Sequence, residues 1–155
     1  MVSAVFTESI LLIASITIAA IFASTVISKS TMIQSFFATQ TQMQREVALT
    51  NIKVIYVNAN ANSTTVKAWI KNTGMYSIYN LDAVDIYFGE INALQRIPYN
   101  SATAPKWVYD NTDTWNPKQT KEITITLSNA IEAGKTYMLK VALPNGITDE
   151  YIFST

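Results

Sequence analysis

Apolar and polar residues change rhythm once along this chain, near residue 51. Residues 9–28 read SILLIASITIAAIFASTVIS and carry no charge. Ser9 and Ile10 open the run, and Leu11, Leu12, Ile13, Ile16, Ile18, Ile21, Phe22, Val26 and Ile27 occupy every side of a helix, so no polar stripe remains to face water. Twenty such residues rise about 30 Å, the thickness of the hydrocarbon layer. The pattern predicts a transmembrane helix, because a core helix of a soluble protein would keep a polar face. No Lys or Arg precedes the run, so it reads as a retained segment, not a cleaved signal. Glu8, at its mouth, suits the headgroup region near the positive end of the helix dipole, or an ion pair with the terminal amine of a neighbouring subunit.

Beyond Ser28, Met32, Ile33, Phe36, Phe37, Met43 and Val47 recur at three-to-four spacing among Gln, Thr and Ser, with no Gly or Pro before residue 53. The helix therefore continues, from about residue 4 to about residue 48, as a span plus a stalk about 65 Å long. The stalk's apolar stripe calls for a cover, either the chain's own second part or an equivalent helix in a partner. Lys29 and Arg45 follow the span and nothing basic precedes it, which taken alone is a weak vote for a cytoplasmic C-terminal side.

After residue 51 the period falls to two. Ile52 to Val57 is β-branched and aromatic, and residues 58–63, NANANS, supply turn chemistry. In residues 65–71, Val66, Ala68 and Ile70 share a core face, opposite Lys67, Trp69 and Lys71. Short strands are expected near 76–79 and 91–97, with a longer one at 83–88 whose Val84, Ile86 and Phe88 point together. Residues 99–117, with Pro105 and two tryptophans, read as a surface excursion containing a brief strand at 107–109. Residues 122–127 and 136–143 alternate again, and the turn Pro144-Asn145-Gly146 leads to a strand over 147–153. Seven or eight strands predict an all-β immunoglobulin-like sandwich over 51–155, behind a transmembrane helix and stalk over 1–50, with a closed barrel as the alternative.

Composition narrows the chemistry. The chain has no histidine and no cysteine, which removes the usual general base, the nucleophile dyads, thiolate metal sites and disulfides. Eleven basic and eleven acidic residues cancel, leaving no footprint for nucleic acid. Four glycines and no phosphate-loop or hydrolase motif argue against an enzyme, and no cofactor is expected. Asp110, Asn111 and Asp113 could offer oxygens to calcium, although a solvated loop is the plainer reading. Asn62-Ser63-Thr64 matches the N-glycosylation pattern in a turn. Trp69, on the outer face, and the strand containing Ile123, Ile125 and Leu127 are candidate partner contacts, unless Trp107 or Trp115 folds over Trp69 and hides it.

The leading MVSAVFTESILLIASITIAA, the polar stalk, and the segments AWIKNTG, LDAVDIYFG and GKTYMLKVALPNG resemble the archaeal relatives of type IV pilins, and more narrowly the accessory archaellum proteins F and G, with G the nearer. The resemblance implies a single-pass cell-membrane protein whose sandwich lies outside the cytoplasm, beneath the surface layer, and it overrides the charge vote. It implies a stator-like part that anchors the archaellum motor and filament to the envelope as a homo- or hetero-oligomer, with protein F and surface-layer protein as partners. Met1-Val2-Ser3 lacks the basic residue and glycine that precede a prepilin-peptidase site, which disfavours the alternative of a processed filament subunit. Cleavage just before Ala4 would instead place Glu8 fifth, as in processed pilins.

Overall fold

A computed structural model describes residues 2–110 and 114–155. It opens with one helix, α1 (Val2–Leu49), followed by eight strands: β1 (Ile52–Ala59), β2 (Thr65–Asn72), β3 (Asp85–Glu90), β4 (Ala93–Ile97), β5 (Lys106–Tyr109), β6 (Thr120–Thr126), β7 (Thr136–Ala142) and β8 (Thr148–Ser154). The chain divides into two compact units, residues 1–44 and 45–155. The uninterrupted helix follows from a sequence with no Gly or Pro across that whole stretch.

The strands form two four-stranded antiparallel sheets, in the orders β1-β2-β6-β5 and β4-β3-β7-β8. This is the helix-plus-sandwich architecture that the alternation predicts. Val66, Ala68 and Ile70 face the core from β2, Ile86 and Phe88 from β3, and Tyr137, Leu139 and Val141 from β7. Each residue between them points outward, as the pleat requires. In β1 the register slips between Val54 and Tyr56, so that Ile55 and Tyr56 both lie outside while Val54 and Val57 are buried. A bulge of this kind keeps the core face continuous at the expense of a local kink.

Two expectations are corrected. The strand near 76–79 reduces to a single antiparallel bridge between Ile78 and Trp115. The described part of the 99–117 stretch, 99–110 and 114–117, is no surface excursion, because Trp107 and Trp115 are among the core residues, 2% and 3% exposed. Tyr99 packs its ring 4.9 Å from that of Trp107.

A fully buried asparagine, Asn72, organises the end of β2. Its side-chain amide donates to the carbonyls of Tyr76 (2.8 Å) and Trp115 (3.0 Å), and its carbonyl accepts from the Gly74 amide (3.0 Å). Both polar atoms of the side chain, which would otherwise be orphaned in the interior, are thereby paired. The next residues then bind the end of the helix: the Met75 amide donates to the Leu49 carbonyl (2.7 Å), and the amides of Thr73 and Gly74 donate to the Asn51 carbonyl (2.9 and 3.0 Å). One of the four carbonyls that every helix leaves open at its C-terminus is thus taken by the β domain's own backbone.

Candidate functional site

Two features stand out among the described residues: the exposed side chains of α1 and one edge of the sandwich. Along α1 every described side chain from Ala4 to Ala48 is exposed, including Glu8, Ser9, Ile10, Leu11, Leu12, Ile13, Ile16, Ile18, Ile21, Phe22, Val26 and Ile27. By length and composition the helix can cross a bilayer. The hydroxyls scattered through its apolar part turn inward on the helix itself. Ser9 donates to the Val5 carbonyl (2.9 Å), Ser15 to Leu12, Thr17 to Ile13, and both Ser24 and Thr25 to Ile21 (each 2.8 Å). In hydrocarbon an unpaired hydroxyl is costly, and back-bonding removes that penalty without a second helix. Glu8 is the only ionisable side chain between Ala4 and Ser28.

The sandwich has four edge strands, and three are closed. At one side β1 and β8 lie against each other. Asp149 of β8 accepts from the Val54 amide (2.7 Å) and pairs with Lys53 (2.9 Å), and the bulge distorts β1 at the same place. At the other side the chain leaving β4 covers β5: the Trp107 amide donates to the Pro98 carbonyl (3.0 Å), and the Asn100 amide to the Trp107 carbonyl (2.9 Å). The edge of β4 has neither a cover nor a bulge among the described residues, and its Ala93, Gln95 and Arg96 are exposed. Beside it runs a cleft of about 260 Å3, lined by Ala93, Gln95, Ile97, Pro105, Leu127 and Ser128 among others.

This geometry corrects the expected contact strand. Ile123 and Ile125 are core residues, Leu127 packs against the core, and β6 is flanked on both sides by β2 and β5. A strand already paired twice has no backbone groups to offer a partner. Trp69 does lie on the outer face, half-buried, but neither Trp107 nor Trp115 covers it; its ring stacks on Tyr56 of the neighbouring strand, 5.6 Å between centroids.

Lys121 is buried, its ammonium 3.8 Å from Asp110 and 5.5 Å from the centre of the Tyr109 ring. Of the three oxygens considered for calcium, Asp110 therefore faces a cation, while Asn111 and Asp113 lie outside the described residues. Among the described residues no group of three acids could hold a metal ion. Glu90 and Glu132 both bond Lys135 and hold its ammonium well above the usual lysine range, Glu90 most strongly. A raised lysine stabilises fully at neutral pH and loses that contribution only in strongly alkaline solution. Asn62 is exposed in the turn between β1 and β2, at φ 62°. A cleft of about 450 Å3 gathers Tyr79, Asn80, Asp82, Tyr99, Tyr109 and Thr114, one carboxylate among hydroxyls.

A family model described as archaeal-type flagellin matches residues 3–153. Comparison with curated protein sequences returns no match. Among solved structures the chain is similar to the archaellum periplasmic stator protein FlaG from Sulfolobus acidocaldarius, with 30% identity and a TM-score of 0.64, over 68% of this chain and 100% of that one. It is similar also to a chain of the FlaF–FlaG stator complex from the same organism, with 30% identity and a TM-score of 0.63, over 68% of this chain and 90% of that one. The archaeal flagellum of Methanospirillum hungatei strain JF1 shares the fold at 19% identity, with a TM-score of 0.67, over 96% of this chain and 92% of that one.

Proposed function

From the premise that this chain belongs to the archaeal-type flagellin family, we propose that it is a stator part of the archaellum, anchoring the motor to the cell envelope through an extracytoplasmic β domain that binds a FlaF-like partner. The chain is archaellum-related, and the solved structures it resembles are structural archaellum components. The observation that carries the finer reading is the similarity of 68% of this chain, over the whole of the solved FlaG chain, to a protein solved both alone and with FlaF. The apolar helix holds the protein in the cell membrane as a single span, and the sandwich stands beneath the surface layer. The partner adds a strand to the open edge of β4, where main-chain bonds supply affinity and the adjoining cleft receives alternate side chains. The stacked Tyr56–Trp69 pair is the competing contact surface, since half-exposed aromatics of this kind serve as interface anchors.

The second reading is a filament subunit, favoured by the family model's own description and its match across nearly the whole chain. One experiment on tagged full-length protein in archaeal cells separates the two. Under the anchor reading, protease added after the surface layer is stripped removes the β domain, the helix stays in the membrane fraction, and a FlaF-like protein co-purifies with the intact chain. Enrichment in sheared filaments, with the N-terminus beginning at Ala4 and assembly abolished by Glu8→Gln, would establish the filament subunit instead. A β domain untouched by protease in stripped cells would sink both.

A further inference from the structure

We propose that Asn62 is an N-glycosylation acceptor, an inference that rests on the extracytoplasmic placement of the β domain. Asn62-Ser63-Thr64 is the only Asn-x-Ser/Thr triplet in the sequence, and the neighbouring Asn58 and Asn60 each lack a hydroxyl residue two positions on. The structure adds what the triplet alone cannot. Asn62 and Thr64 are both exposed, and neither side chain is hydrogen-bonded among the described residues.

The backbone beneath them is fixed. The Asn62 amide donates to the Ile131 carbonyl (2.8 Å), and the Ile131 amide donates back to the Ser63 carbonyl (2.9 Å). Ser63 turns its hydroxyl onto the Thr65 backbone, accepting from its amide at 3.0 Å and donating to its carbonyl at 3.1 Å. The middle residue is therefore occupied in holding the turn, while the two recognition groups stay free. Asn62 sits at φ 62°, a left-handed conformation that asparagine tolerates better than most residues. At the tip of the β1–β2 hairpin, at the end of β1 opposite Asn51, it belongs to no ladder that a bulky substituent would break.

The donor is a polyprenyl-phosphate-linked oligosaccharide presented by a membrane glycosyltransferase on the outer side of the bilayer. The Asn62 carboxamide nitrogen forms a bond to the anomeric carbon as the carbon–oxygen bond to phosphate breaks. The polyprenyl phosphate departs with the electron pair, and one amide proton passes to a base of the transferase. No oxidation or reduction is involved.

The test uses full-length protein purified from the membranes of an archaeal host that glycosylates its surface proteins. Trypsin should release residues 54–67, between Lys53 and Lys67, as a peptide whose mass is raised by whole sugar residues, with fragmentation placing the addition on Asn62. Asn62→Gln and Thr64→Ala should each abolish the mass increment, while Thr64→Ser retains it. An unmodified wild-type peptide overturns the proposal. Protease accessibility of the β domain in the same cells then tells whether the placement falls with it: cleavage leaves the placement standing, and full protection removes it too.

Discussion

Gly74→Ala is expected to destabilise the β domain by about 3 to 5 kcal/mol, a large part of the roughly 5–15 kcal/mol available to a domain of this size. A Cβ at this position would lie 2.5 Å from the Asn51 amide nitrogen and 2.5 Å from the Leu49 carbonyl oxygen. Both are backbone atoms, so neither can rotate away as a side chain would. The 73–75 segment must lift off, and it takes with it the three amide bonds to Leu49 and Asn51, together worth about 2 kcal/mol net, on top of an overpacking penalty of about 1–3 kcal/mol. Lifting Gly74 also strips the Asn72 carbonyl of its donor inside the core. Thermal unfolding of the full-length protein in detergent, followed by the fluorescence of the buried tryptophans, should show a drop of roughly 12–25 °C. Gly146→Ala is the control: its φ is +86° but nothing lies within 4 Å of the added methyl, so only backbone strain of about 1–2 kcal/mol is expected. Equal melting temperatures for Gly74→Ala and wild type would refute the tight seat. Under the anchor reading proposed above, force between bilayer and envelope would pass through the last turn of α1, whose Leu49 carbonyl is held by this loop.

How much of this was readable beforehand depended on whether the determining contact was local. The helix was, since an uncharged run of twenty residues without Gly or Pro is a property of consecutive positions. The inward faces of β2, β3 and β7 were as well, because alternation is a local signal and Val66, Ile86 and Leu139 obey it. The same alternation in β6 located Ile123 and Ile125 on one face but could not say that β2 and β5 occupy both its flanks. That follows from pairings such as Ala68 with Ile123 and Trp107 with Ile125, which join residues far apart in sequence. The edge census was therefore out of reach, and with it β4. Trp107 and Trp115 were misplaced because their stretch is rich in Pro, Asn and Asp, and burial there is imposed by the opposite sheet, not by any periodicity. The seat of the helix end left one trace, the Asn-Thr-Gly at 72–74, which ends a strand equally well without it.

Gln95→Lys on β4 is expected to weaken binding of the FlaF-like partner at least about 100-fold, which corresponds to about 2.7 kcal/mol or more. Gln95 is exposed at the open edge and lines the adjoining cleft, so a lysine there leaves the isolated fold within about 0.5 kcal/mol of wild type. Once a partner strand lies alongside, the ammonium is trapped at the mouth of a cleft whose other walls include Ile97, Pro105 and Leu127. Burying it unpaired carries a penalty of several kcal/mol, and natural edge strands use an inward-pointing charge in this way to refuse pairing. Trp69→Ala probes the competing surface on the other sheet. If β4 is the contact, that substitution leaves the dissociation constant within about threefold, inside the 0.7 kcal/mol that the conversion assigns to such a change. Titration calorimetry of full-length variants in detergent against the partner decides the matter. Tight binding by Gln95→Lys together with loss in Trp69→Ala would move the interface to the Tyr56–Trp69 face. Loss in both would point to a contact that wraps from one sheet to the other, and tight binding by both would exclude the two surfaces together.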